Sequence, residues 1–429
     1  MISLQFYKKQ TRDKIMIDLA LLRKEPEKIK NLILKKEPSF DVEKLIKLDE
    51  QNRQLTSEIE ILRKEKNELA KQGGSQGVTD ELREKAIQLG KNLKQKEKEF
   101  ESVSKEFKIL ALSCPNIPQD EVPVGDKNQN KVIKTVGEKQ NFSFKPKNHL
   151  ELNEKNNWFD INAASKMSGS NFVIYKHYGV KVLYALTNLM IKNNVKYGFE
   201  PILPPYLVNE KALQNSGNLP KFKGDFYSMP EDGLCLIPTA EVSLTNLHAD
   251  QILETPQLPK RYSAWTSCFR REAGGYGSEE RGLIRIHQFE KVEIYSLCKP
   301  EDSDKELDRM MTSAQNILDQ LGLHYRISLL AAQDCSFCSA KTFDIEVWLP
   351  GQEKFYEVSS CSNCTDFQSR RAKIRYRKDS NSKPELVHTL NGSSLALPRL
   401  MVAIMEQFQQ EDGKIKLPKF LQEAVDSVW

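Results

Sequence analysis

Residues 41–113 carry two heptad registers back to back, and no compact globule can absorb them. Leu48, Leu55, Leu62 and Leu69 recur every seven residues, with Leu45 and Ile59 at alternate seam positions. After Gly73-Gly74-Ser75-Gln76-Gly77 a second register begins: Leu82, Ala86, Leu89, Leu93, Phe100, Val103, Phe107 and Leu110. Four-three spacing is a coiled-coil seam, the glycines mark a turn between two antiparallel helices, and Pro115 and Pro118 end the second. About thirty residues per helix give an arm of about 45 Å. Such an arm cannot bury itself in a core, so it is expected to project.

Its outward positions are basic: Arg63, Lys64, Lys66, Lys71, Arg83, Lys85, Lys91, Lys94 and Lys98. Mixed with Glu, they read by composition alone as a solvated helix face. The chain as a whole is mildly basic, with 64 Lys+Arg against 59 Asp+Glu, which is compatible with a nucleic-acid partner without requiring one. Its 429 residues suffice for two or three domains. No apolar run approaches a membrane span, and MISLQFYKKQTRDKIMIDLALL lacks the apolar core and cleavage site of a signal peptide. The expected compartment is cytoplasmic.

A second constraint is residues 268–295, CFRREAGGYGSEERGLIRIHQFEKVEIY. Alternation from Leu283 (Leu283, Arg285, His287, Phe289, Lys291, Glu293 against Ile284, Ile286, Gln288, Glu290, Val292, Ile294) reads as the return strand of an antiparallel hairpin. Arginines, a carboxylate and a ring on paired strands suit a nucleoside triphosphate. Guanidinium holds phosphate in a fork, Glu272 accepts from an exocyclic amine, and Phe289 offers a stacking face.

This hairpin resembles motif 2 of the class II aminoacyl-tRNA synthetases, and in detail that of the seryl-tRNA synthetases. Three further segments extend the likeness in the family's order. IPTAEVSLTN (237–246) resembles the serine-binding Thr-Ala-Glu signature, and YEVSSCSNCTDFQSRRAKIRYR (356–377) matches the family almost letter for letter. HTLNGSSLALPRLMVAIMEQFQQ (388–410) resembles motif 3, a strand and helix carrying an arginine. KHYGVKVLYALTNLMIKNNVKY (176–197) with the segment ending at Pro204-Pro205 resembles motif 1, although its periodicity alone describes an ordinary core helix. Met16-Ile17-Asp18 resembles the family's usual start, so residues 1–15 are read as an extension or an upstream start.

The resemblance implies an α+β architecture: an N-terminal antiparallel coiled-coil arm, then a class II core on an antiparallel β-sheet flanked by helices. The expected division is an N-terminal tRNA-binding domain at 1–118, a linker at 119–150, and a catalytic domain at 151–429. The implied reaction activates L-serine with ATP and transfers it to tRNA(Ser), and to tRNA(Sec) where the host has it. The arm would grip tRNA through phosphate contact and shape, and the motif 1 segment would form a homodimer interface.

Site residues follow by position. Arg270 matches the arginine that bridges the α-phosphate and the amino-acid carboxylate, and Arg399 the motif 3 arginine near the γ-phosphate. Arg271, Glu272, Arg281, Ile286, Phe289, Glu357, Val358, Ser359 and Ser360 complete the expected ATP site. Glu357 and Ser360 match the Mg²⁺ ligands, a hard cation that takes oxygen. Thr239, Ala240, Glu241, Glu293 and Ser393 match the serine site.

Departures from the family pattern are Arg271 for serine, Ser278-Glu279-Glu280 for a more basic run, Pro398 and Ser394 for glycines, and Gln333 and Ser336 for glycines before Lys341. The two CxxC pairs, Cys335–Cys338 and Cys361–Cys364, are separated by about 22 residues, a spacing zinc can use. In the bacterial-type family the second run occurs without zinc, so no structural zinc is expected. Two other functions fit parts of the sequence. A tRNA-holding protein without catalysis would lack a ligand, and a serine-activating enzyme that loads a carrier protein would lack the coil.

Overall fold

The computed structural model describes residues 17–272 and 282–429. They divide into two compact units, one ending at Cys114 and the other starting at Pro115.

In the first unit, Asp41 caps helix α1 (Val42–Gln76) by accepting from the Lys44 amide, and Thr79 caps α2 (Asp80–Leu112) by accepting from the Leu82 amide. The helices hold 35 and 33 residues, about 50 Å each. The turn differs from expectation. The first helix runs through Gly73 and Gly74, and only Gly77, at φ +85°, leaves it. A helix propagates through glycine at modest cost, whereas the left-handed exit needs one.

Leu55, Ile59, Leu93 and Phe100 form the dry seam, with Leu62 and Val103 half-buried beside them. Each buried side chain contributes about 1.5–3 kcal/mol. The seam thins toward the turn: Leu69 is half-buried and Ala86, with only a methyl group to offer, is exposed. Arg63 also departs from the outward reading, because it crosses the seam to Glu97 at 2.6 Å. Lys96–Glu58 (2.8 Å) and Lys44–Glu106 (2.7 Å) cross it too. Pairs this exposed contribute about 0–1 kcal/mol and act mainly on register.

An eight-stranded sheet organises the second unit: β1 (Lys131–Val136), β2 (Glu200–Ile202), β3 (Lys260–Phe269), β4 (Gln288–Cys298), β5 (Tyr325–Leu329), β6 (Lys341–Leu349), β7 (Lys354–Asn363) and β8 (His388–Ala396). Their spatial order is β1-β5-β6-β7-β8-β4-β3-β2. All neighbours are antiparallel except β2 and β3. Helices α3 (Tyr178–Lys196), α5 (Ser303–Leu321) and α6 (Leu397–Gln407) supply the main core with Leu186, Met190, Ile317, Leu318, Leu400 and Ile404. This is the α+β class. Strand β1, within the stretch read as a linker, forms one edge of the sheet.

Central strand β4 is buried on both faces. Val292 and Ile294 enter the main core, while Tyr295 and Leu297 pack with Ala240 and Leu244 of helix α4 (Ala240–Asn246). The strand begins at Gln288, not Leu283. Residues Gly282–Ile284 form a 3-10 turn, with Leu283 and Ile284 buried in the core. Gly282 stands at φ +72°, the Leu283 amide donates to His149 Nε2 at 3.3 Å, and a Cβ on Gly282 would overlap that ring. Packing against His149 thus overrides the alternation. Among the described residues no helix is long and apolar enough to cross a membrane.

Candidate active site

Two depressions meet on the β4 face that carries Phe289, Lys291 and Glu293. The first is a cleft lined by Arg270, Glu272, Arg285, Ile286, Phe289, Glu357, Ser393 and Arg399. Arg270 follows β3, its backbone paired to His287 by a 2.9 Å hydrogen bond. Its Nε donates to the Pro238 carbonyl at 3.3 Å, and its guanidinium carbon stands 5.3 Å from the Phe289 ring centre. One side of the ring is therefore next to a cation. Glu272, at φ +48°, accepts from Arg285 Nε at 2.5 Å.

Arg399 enters from the first turn of α6. Pro398 sits in that turn, where its missing N–H has no helical partner to lose, so this departure from glycine is accommodated. Arg399 donates to the Glu357 carbonyl at 2.9 Å and to the Ile284 carbonyl at 3.3 Å. Its Nη1 also lies 3.4 Å from Glu357 Oε2.

The second depression, a cavity of about 490 Å³, is lined by Thr239, Glu241, Arg270, Glu272, Arg285 and Cys338, among others. Arg270, Glu272 and Arg285 are the wall common to both. Beside it, Lys291 Nζ donates to Thr239 Oγ1 at 2.7 Å, and Thr239 donates to Glu293 Oε2 at 3.2 Å. Lys291 and Glu293 form a buried ion pair, with 6% and 2% of their surface exposed. Thr239 also N-caps α4 by accepting from the Glu241 amide. Glu241 Oε1 accepts from Gln368 Nε2 at 2.6 Å and Asn391 Nδ2 at 3.1 Å. Desolvation, with Cys338 and Glu293 nearby, pushes its carboxyl well above the usual range despite Lys291 and Gln368.

A third group lies at the β6–β7 ladder, where Asp344 is directly opposite Ser360. Asp344 Oδ1 is buried with no hydrogen-bond partner among the described residues. Burial raises its carboxyl well above the ordinary range; the Glu357 charge adds to this, and a Ser360 hydrogen bond opposes it. Two carboxylates, one of them with an unpartnered oxygen, and a hydroxyl suit a hard cation.

Of the sequence-predicted residues, the structure gathers Arg270, Glu272, Ile286, Phe289, Glu357, Ser393 and Arg399 in the cleft, and Thr239, Glu241 and Arg270 at the cavity. Val358 is in the main core, and Ser359 donates to the Ser393 carbonyl at 2.5 Å. Ala240 packs in the α4 core. Arg271 leans over Tyr227, its guanidinium carbon 5.8 Å from the ring centre. Arg281 and Ser278-Glu279-Glu280 lie outside the described residues. Sequence reasoning missed Lys291, Arg285 and Asp344 as site residues. Lys291 had a signal, since it shares the alternating strand face with Phe289; Arg285 precedes the strand, where alternation does not hold. Asp344 had none, because its position depends on strand register.

The model of the tRNA synthetase class II core domain (G, H, P, S and T) matches residues 222–408, and that of the seryl-tRNA synthetase N-terminal domain matches residues 16–118. Serine--tRNA ligase 2 of Clostridium acetobutylicum is 43% identical over 420 residues, 96% of this chain and 99% of its own. The chain belongs to the seryl-tRNA synthetase family. Another serine--tRNA ligase, from Dehalococcoides mccartyi, is 44% identical over 412 residues, covering 95% of this chain and 98% of its own. The structure of the seryl-tRNA synthetase of Pyrococcus horikoshii complexed with ATP superposes with a TM-score of 0.89 at 35% identity, covering 96% of this chain and 98% of that one. Both units of the chain thus have counterparts in the seryl-tRNA synthetases, the arm included.

Proposed function

We propose that the chain activates L-serine with ATP and transfers it to tRNA(Ser), with the cleft taking the nucleotide and the adjoining cavity the amino acid. One observation carries the assignment: Arg270 belongs to the wall of both depressions. In the first step a serine carboxylate oxygen attacks the α-phosphorus, the bond to pyrophosphate breaks, and seryl-adenylate forms. In the second, a terminal ribose hydroxyl of tRNA attacks the seryl carbonyl, AMP leaves, and the hydroxyl proton passes to a phosphate oxygen or solvent.

Neither step forms a covalent bond to the protein, so its residues act by positioning and charge neutralisation. Arg270 draws the α-phosphate and serine carboxylate together, and Arg399 faces the terminal phosphates. Adenine stacks on Phe289, across from the Arg270 side, with Glu272 accepting from its amine. Glu241 and Thr239 receive the ammonium, and Glu293, held by Lys291, receives the hydroxyl. Alanine would set a methyl group against that buried carboxylate and leave the acceptor position meant for the hydroxyl unfilled, which disfavours it by orders of magnitude. Glu357 and Ser360, joined by Asp344, would hold Mg²⁺, which supplies charge neutralisation for the phosphates.

Exposed lysines and arginines on α1 and α2 would meet tRNA phosphates. The motif 1 segment exposes Tyr184, Val195 and Leu203, which favours a homodimer interface there. A reaction of translation favours a cytoplasmic location, with tRNA(Sec) a further substrate only where the host makes it. The two CxxC pairs enter this reading without a four-thiol zinc: Cys361 packs in the main core, and Cys335 packs with Val122, Leu330 and Ala332.

Serine-dependent ATP–pyrophosphate exchange, run beside alanine and threonine, tests the assignment. Exchange is expected with serine and at background with alanine. Equal exchange with all three would refute the assignment of the cavity.

A further inference from the structure

Arg399 stands at one end of the nucleotide cleft, and a residue far from the motifs decides where its acceptor lies. Its Nε donates to the Ile284 carbonyl at 3.3 Å and its Nη1 to the Glu357 carbonyl at 2.9 Å, which leaves the Nη2 edge for an anion. Leu283 and Ile284 also line the cleft, so the 3-10 turn Gly282–Ile284 supplies both a wall and an anchor. The sheet does not hold this turn, because β4 begins only at Gln288. His149 does.

His149 opens a short helix (His149–Asn156) that starts within the stretch read as a linker. Its side chain is 3% exposed, and Nε2 accepts from the Leu283 amide at 3.3 Å. An accepting Nε2 leaves the ring proton on Nδ1, which stands 3.4 Å from Glu406 Oε1. Glu406 is fully buried, and it also accepts from the His149 amide at 3.1 Å, the Gly351 amide at 3.0 Å and Gln352 Nε2 at 3.1 Å. Donors on every side make this carboxylate a fixed point. Gly282 lies so close to the ring that a Cβ there would stand 2.2 Å from Nε2.

We propose that His149 is a positioning residue for ATP: it extends the hold of the buried Glu406 to the Gly282–Ile284 turn and so sets Arg399 for the terminal phosphates. This role rests on the reading of the cleft as the nucleotide site. Arg399 and Glu406 both belong to α6, two helical turns or about 10 Å apart along its axis. The helix thus grips the turn twice, directly at the Ile284 carbonyl and through His149 at the Leu283 amide. Without the second grip the buried Leu283 amide loses its acceptor, the turn shifts to find another, and Arg399 follows the Ile284 carbonyl out of place. None of His149, Glu406, Leu283, Ile284 and Arg399 lines the cavity assigned to serine, so the effect falls on the nucleotide.

Two isosteres separate the two contacts of the ring. Glutamine places its side-chain oxygen where Nε2 stands and keeps an acceptor for Leu283. Asparagine places its amide where Nδ1 stands and keeps only the bond to Glu406. Both are assayed in the full-length protein by serine-dependent pyrophosphate exchange at varied ATP and varied serine. His149→Asn should raise the KM for ATP about tenfold and leave the KM for serine within about twofold, while His149→Gln stays within about threefold of the parent for both. A parent-like KM for ATP in His149→Asn, equal losses in the two variants, a KM for serine that rises in step, or a His149→Gln protein that does not fold would each overturn the role.

If His149→Asn does not fold, imidazole nitrogen NMR of the unaltered protein decides, with the His149 signals assigned by their absence from His149→Gln. A proton on Nδ1, a bare Nε2 and a shift of both on adding ATP are expected; a proton on Nε2, or no response to ATP, would overturn the role. Arg399→Ala reports on the cleft separately. An unchanged KM for ATP in that variant would refute the nucleotide reading, whereas a raised one beside a parent-like His149→Asn refutes only the role of His149.

Discussion

Arg270→Lys keeps the charge at the junction of cleft and cavity and removes its geometry. The arginine Nε is engaged with the Pro238 carbonyl at 3.3 Å, leaving the two Nη groups as a fork for an anion. Lysine offers one compact ammonium on a flexible stem. One charge-assisted hydrogen bond lost from the reacting group costs about 1.5–3 kcal/mol, and the anchor to Pro238 about 0.5–1.5 kcal/mol more. The sum, about 2–4.5 kcal/mol, corresponds to a fall of about 30- to 2,000-fold in rate. Charge on the α-phosphate develops in the transition state, so kcat should fall further than KM for ATP rises. Serine-dependent pyrophosphate exchange at varied ATP measures both. Thermal unfolding should hardly move, because Arg270 is exposed. An exchange kcat within threefold of the parent would refute the role given to Arg270.

Asp344→Asn removes a buried carboxylate that lacks a full set of partners, so unfolding stability should hold or rise while the Mg²⁺ needed for half-maximal exchange increases about tenfold or more; an unchanged Mg²⁺ dependence would exclude Asp344 from the metal site. The Glu241 carboxyl is held above its ordinary range, so it becomes neutral before an ordinary carboxylate does as pH falls; KM for serine should therefore rise on acidification through that raised value, and Glu241→Gln should flatten the dependence. Gly282→Ala combines a left-handed φ with overlap on His149, and equilibrium denaturation should show a loss of about 2–4 kcal/mol. Excising residues 53–104 and closing the gap with a Gly/Ser linker preserves the Arg23–Asp49 pair; exchange should persist and tRNA charging collapse, and binding of tRNA to the intact protein should weaken steeply with salt. Full charging by the truncated protein would rule out the arm as the tRNA grip.

The arm was legible because its interactions are local. Leu55 and Ile59, four residues apart on one helix, meet Leu93 and Phe100, seven apart on the next, and heptad spacing states both faces directly. Its exit turn was placed too early because sequence shows which residues tolerate a left-handed φ, not which one uses it, and only Gly77 does. Motif residues such as Arg270, Glu272, Phe289 and Arg399 could be named from sequence because each is written into a contiguous run.

What the tertiary structure alone decided depends on residues brought together across long separations. Alternation predicted a strand from Leu283, yet His149, more than a hundred residues earlier, holds that stretch as a 3-10 turn. Asp344 faces Ser360 only because β6 and β7 pair in a register shifted by one residue at Ile345–Glu346, an offset that side-chain pattern does not encode. The cysteines show the same limit. Spacing grouped them as two pairs of equals, whereas packing drew Cys335 and Cys361 into apolar cores and set Cys338 and Cys364 beside Glu241. Local periodicity fixes elements; which side chains share a site is settled by register and burial between them.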